Sequence, residues 1–194
     1  MDRLEQAFQL AWSDLYEANA AVQICNGFYH KHFQLADEPI EQQHVWGFID
    51  QAVNWKLALA LERLTQNAGN DKASLKGLLR EINAARKNGV HFADERRLEE
   101  AEANLADALK ADICKRLKTS RNAFIGHSLI GENRQGVALY DLIEYLGTLE
   151  PIAEALNVGV FGCCPDLDAH IDDWQQRAST WFKRMLPEQD ESDA

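Results

Sequence analysis

Arg121, Asn122 and His127 lie within seven residues of one another in the segment RNAFIGH. These side chains meet the needs of metal-free RNA cleavage. A guanidinium grips a phosphate through two hydrogen bonds. It also stabilises charge that develops on phosphoryl oxygens. A neutral imidazole takes the proton of a ribose 2′-hydroxyl, and its protonated form returns one to the leaving oxygen. The Asn122 amide could orient that imidazole or bind a phosphate oxygen.

The approach to this segment is cationic. Residues 110–127 read KADICKRLKTSRNAFIGH, where Lys110, Lys115, Arg116, Lys118 and Arg121 face a single acid, Asp112. On a continuous ideal helix Lys110, Cys114, Lys118 and Arg121 fall within about 40° of one another. Ile113, Leu117 and Phe124 form the neighbouring apolar stripe. Lys110, Lys115 and Lys118 are therefore the candidate RNA contacts, although a solvated helix face has the same composition. One geometric obstacle remains. Arg121 and His127 sit about 120° and about 9 Å apart on an ideal helix. A break at Gly126 removes it, as does a two-fold pairing of chains that places two Arg/His sets in one cleft.

Other chemistry is thinly represented. No Walker loop, GxGxxG, HExxH or GxSxG occurs. His30 and His32 are two apart, so a helix turns them to different sides, and they read as exposed histidines rather than metal ligands. Asp166, Asp168, Asp172 and Asp173 read as capping and dipole compensation. Cys25, Cys114, Cys163 and Cys164 form no CxxC pair and read as thiols of a reducing compartment. No metal and no cofactor is expected.

Helices must position these groups. Helix formers dominate, prolines number only four, and no stretch alternates as a strand would. The first helix spans 2–33, with Leu4, Phe8, Ala11, Leu15, Ala18, Val22 and Cys25 on one face. A second runs from 40 to a turn at 67–70, with Trp46, Ile49, Val53, Leu57, Leu61 and Leu64 as its stripe. A third covers 75–86, capped by Ser74 and closed at Gly89. A long fourth helix covers 94–128. The fifth spans 138–157, with Pro151 as a candidate kink, and the sixth spans 166–186. The sum is an all-α antiparallel bundle of five to six helices, one domain over 1–187 with a flexible acidic tail at 188–194.

Composition narrows the function. Lys and Arg number 20 against 31 Asp and Glu, a net charge of −11. A chain this acidic is no general coat for duplex DNA or anionic membranes, so nucleic acid must meet a local basic patch. Hydrophobic residues at 46% exclude global disorder. No apolar run reaches the roughly 20 residues of a membrane span. The first residues do not read as a signal peptide. A soluble cytoplasmic protein is expected.

Arg121-Asn122, four further residues and His127 match the motif of the HEPN superfamily. More narrowly, the chain resembles the AbiU-like HEPN proteins of bacterial abortive infection. The resemblance rests on Asn54-Trp55, on Ala58-Leu59-Ala60-Leu61-Glu62-Arg63-Leu64-Thr65, and on Ser74-Leu75 with Leu78-Leu79. It spans roughly residues 40 to 155. It implies an α-helical fold, dimerisation through the motif helices and, in many members, metal-independent RNase activity in toxin–antitoxin, abortive-infection and CRISPR-linked systems. Other members bind nucleotides or serve as scaffolds without catalysis. Carried over by position, Arg121 and His127 would be catalytic and Asn122 supporting. HEPN toxins paired with a nucleotidyltransferase antitoxin often carry Tyr two residues after the His. Here that residue is Leu129, so regulation at such a Tyr is not expected.

The leading expectation is a phage-defence endoribonuclease, homodimeric, acting on RNA and held by a cognate antitoxin. The alternatives are a non-catalytic HEPN binding module and a plain bundle. In the plain bundle Arg121 pairs with Glu132 or an acid of the fifth helix, and His127 is packed.

Overall fold

The computed structural model describes residues 2–30, 39–66, 74–125, 137–163 and 165–185, without the side chains of 2, 30 and 122–125. Among the described residues there are seven helices and no strand. They are α1 (Asp2–His30), α2 (Ile40–Thr65), α3 (Leu75–Lys87), α4 (Glu95–Ala108), α5 (Asp112–Ile125), α6 (Leu139–Phe161) and α7 (Leu167–Met185). The all-α expectation holds, with one helix more than the upper count. The turn foreseen at 67–70, the acidic tail and Cys164 lie outside the described residues.

The core follows the apolar spacing. All seven residues of the α1 stripe are buried, as are Trp46, Leu57, Leu61 and Leu64 of α2. Helix α1 packs on α2, α3, α6 and α7, while α4 packs on α6 and α5 on α2. Local signals hold as well. The Ser74 hydroxyl accepts the Gly77 N–H at 3.0 Å, and Gly89 adopts a left-handed φ of 80°. Helix α6 continues through Pro151 to Phe161, a turn beyond the expected end, where Gly162 at φ 73° closes it. Near that end, α4 and α6 cross closely at Gly159, whose carbonyl accepts the Asp94 N–H at 2.9 Å.

The expected 94–128 helix is broken at 109–111, and the cause is a carbonyl. In an unbroken helix the Ala108 oxygen would accept the amide of residue 112. Here it accepts the Ala111 N–H at 3.2 Å and the Tyr145 hydroxyl of α6 at 3.1 Å. Lys110 N–H likewise turns back to Asp107 O at 3.0 Å. These tight bonds end α4 and let α5 start in a new direction.

Among the described residues, no helix is long and apolar enough to cross a membrane. No group of three His, Cys, Asp or Glu among them could hold a metal ion.

Candidate functional site

The break reshapes the cationic ridge. Helix α5 buries Leu117 and Ser120 against its neighbours, which fixes the rotation of the remaining faces. Lys115, Lys118 and Arg121 then line one cavity of about 500 Å³, with Leu109 and Cys114 in the wall behind them. The opposite wall is the end of α2, with Glu62, Thr65 and Gln66. Lys76 from the first turn of α3 supplies a fourth cation. The cavity thus holds four cations and one carboxylate in a chain that is acidic overall, which suits a phosphate backbone.

Two cations of the 110–127 segment are elsewhere, and one of them, Lys110, is an expected member of the ridge. Lys110 precedes α5, does not line the cavity and pairs with Asp107 at 2.8 Å. Its place in the ridge assumed an unbroken helix, and the turn at 109–111 removes that assumption. Arg116 turns to α6 and pairs with Asp141 at 2.8 Å.

Arg121 is held firmly. Its Nη1 stands 2.6 Å from Glu62 Oε1. The Glu62 side chain is 7% exposed and that of Arg121 31%. A carboxylate that buried requires a charged partner, and removing one member of such a pair typically costs about 3–5 kcal/mol. An acid of α2 pairs with Arg121, whereas Glu132, a partner considered from the sequence, lies outside the described residues. Asn122 continues α5, but its side chain lies outside the description, and so does His127 entirely. The catalytic pairing expected between Arg121 and His127 is therefore not located.

Behind the cavity wall, Cys114 Sγ is 2.7 Å from the Tyr145 hydroxyl, which donates to Ala108 O. Burial, with Cys114 beside it, pushes the Tyr145 phenol well above its usual range, so it stays protonated and keeps that bond at physiological pH. This side chain thereby ends one helix and sets the start of the one that carries the cations.

A family model for AbiU2, of the HEPN group, matches residues 2–180. The chain belongs to this AbiU2 HEPN family. The match covers α1 and most of α7, both outside the stretch of roughly 40 to 155 that carried the sequence resemblance. Helices α1 and α7 are thus parts of the AbiU2 unit rather than additions to it. Membership associates the chain with abortive-infection phage defence. No curated protein and no solved structure matches the chain.

Proposed function

We propose that this AbiU2 HEPN protein is a metal-independent endoribonuclease of a phage-defence system, acting in the cytoplasm. The observation that carries this reading is the cavity where Lys76, Lys115, Lys118 and Arg121 converge, at the helix that leads into Arg121-Asn122-x4-His127. The three lysines bind the RNA backbone as point charges. Neutral His127 removes the 2′-hydroxyl proton, and the 2′-oxygen attacks the adjacent phosphorus. Arg121, fixed by Glu62, stabilises the charge that builds on the phosphoryl oxygens without having to reorganise. The 5′-oxygen leaves with a proton, and a 2′,3′-cyclic phosphate remains. Asn122 supports the imidazole or the phosphate. In a homodimer the second copy's His127 supplies the leaving-group proton. A cognate antitoxin would silence the enzyme by covering the cationic cavity.

The test is incubation of the protein with a labelled total-RNA and tRNA panel in EDTA, beside Arg121→Ala and His127→Ala. Cleavage by wild type alone, leaving cyclic phosphate ends, supports the reading and both roles. Equal cleavage by all three proteins refutes the residue assignment.

A second reading is favoured by the bond between Arg121 Nη1 and Glu62, which already occupies part of the guanidinium. On this reading the chain is a non-catalytic HEPN module that binds a nucleotide in the same cavity. Retention of nucleotide by His127→Ala, with no cleavage by wild type, would select it.

A further inference from the structure

A second cavity, of about 840 Å³, opens between α1, the end of α6 and α7, and it shares no lining residue with the cationic one. Its size falls within the roughly 300–1,000 Å³ of small-molecule sites. Six rings line it: Phe8, Trp12, Tyr16, Phe161, His170 and Trp174. They brace one another. Tyr16 and His170 lie 4.1 Å apart between centroids and 32° from parallel, while Phe8 meets Phe161 edge-on at 4.9 Å. Trp12 and Asn157 at the base are satisfied, while His170 Nε2 is buried with no hydrogen-bond partner among the described residues. Trp12 Nε1 donates to Asn157 Oδ1 at 3.3 Å, and Asn157 Nδ2 donates to Cys163 O at 2.6 Å. What the walls offer a ligand is therefore mainly aromatic surface.

Two acids, Glu5 and Glu17, and no Lys or Arg among the described residues line this cavity, but Glu17 is neutralised by cations beside it. Glu17 is shared with Lys56 at 2.9 Å and Arg63 at 2.7 Å, while Glu5 is exposed. Glu5, exposed at the rim, favours a cation over phosphates and carboxylates, in contrast to the cationic cavity. Ring faces and a rim carboxylate both attract a cation, and stacking selects a flat one.

We propose that the α1–α7 cavity is a binding site for a small, flat aromatic cation, distinct from the RNA-cleaving centre. It gives the AbiU2 unit a ligand site of its own, on the face opposite in chemistry to the cationic cavity.

The probes are 1-methylquinolinium chloride and sodium naphthalene-1-sulfonate, which match in ring size and oppose in charge. Each is titrated into the full chain while indole N–H signals are followed by two-dimensional NMR. The expected result is saturable quinolinium binding that shifts the Trp12 and Trp174 signals and leaves Trp46 and Trp181 in place. The sulfonate should bind roughly tenfold more weakly or worse. Trp174→Ala should weaken quinolinium binding roughly tenfold. Glu5→Lys, a change at an exposed position, should weaken it about threefold and narrow the gap between the probes. If Trp174→Ala fails to fold, Glu5→Lys alone decides. Equal affinity for both probes, no saturation by about 5 mM, or indifference to Glu5→Lys would overturn the proposal. So would probe affinity that rises on diluting the protein, because a second copy would then be the occupant.

Discussion

Arg121 of α5 and Glu62 of α2 are 59 residues apart in sequence and 2.6 Å apart in space, at the edge of the cationic cavity. The pair joins two roles. It satisfies a carboxylate that is almost wholly buried, and it aims the guanidinium. Glu62→Gln separates these roles, because the amide can still accept a hydrogen bond but no longer carries charge. Stability should fall by about 1–3 kcal/mol, read as the urea midpoint. RNA cleavage should fall by about a hundredfold, mostly in kcat, because a misplaced stabilising group costs more than the bond itself. A drop in KM affinity alone, with kcat unchanged, would contradict the positioning role.

The lysines are expected to divide into contacts and a bystander. Lys76→Ala, Lys115→Ala and Lys118→Ala should each weaken RNA binding and reduce the log–log salt slope by about 0.7. Lys110→Ala should change neither, since its partner is Asp107 and it lies outside the cavity. Fluorescence anisotropy across a salt series reads both quantities.

Two glycines of one helix should respond in opposite directions. A Cβ on Gly159 would stand 2.5 Å from Leu98 Cγ and 3.2 Å from Asp94 O. Leu98 is fully buried and has nowhere to withdraw. Overpacking of about 1–3 kcal/mol should therefore exceed the gain in helix propensity of about 1 kcal/mol, and Gly159→Ala should lower the Tm. Gly147, also in α6, has nothing within 4 Å of such a Cβ. Gly147→Ala should gain up to about 1 kcal/mol. Thermal melts of the two variants check both signs.

Glu150 of α6 makes stability depend on pH. Burial raises its carboxyl pKa, and nearby Glu154 and Asp168 raise it further against a lowering bond from Asn19. A raised native pKa means that the folded chain binds this proton more readily than the unfolded one. The favourable contribution is present below the unfolded carboxyl value and is lost as pH rises through the native one. At neutral pH the ionised Glu150 is thus unfavourable. Glu150→Gln should raise the Tm at neutral pH, and its advantage should vanish near about pH 4. An advantage that grows on acidification would contradict this assignment.

What was legible in the sequence was local or periodic. The stripes of α1 and α2 repeat every three or four residues, and Ser74 and Gly89 act within one turn of themselves. Cys114, Lys118 and Arg121 line one cavity, as their spacing on one helix indicates, and Lys115 lines it beside them. The failures all depend on contacts made from far along the chain. The end of α4 is set by Tyr145, 37 residues beyond Ala108. Lys76 joins the cavity from another helix, and Glu62 reaches Arg121 from a third. Lys110 was misplaced for the same reason, since its position followed from a continuity that Tyr145 breaks.

The turn at Leu109-Lys110-Ala111 also determines which insertions and deletions the protein can tolerate. A residue inserted within Asp112–Ser120 would rotate Arg121 by about 100° relative to the buried side of its helix, carrying it away from Glu62. The same insertion beside exposed Lys110 falls where the i→i−4 ladder has already given way to the tighter bonds of Lys110 and Ala111. It could bulge outward and leave every angle downstream unchanged. This short joint is a frame buffer: a change in length is absorbed there, while the helix bearing Arg121 keeps its register.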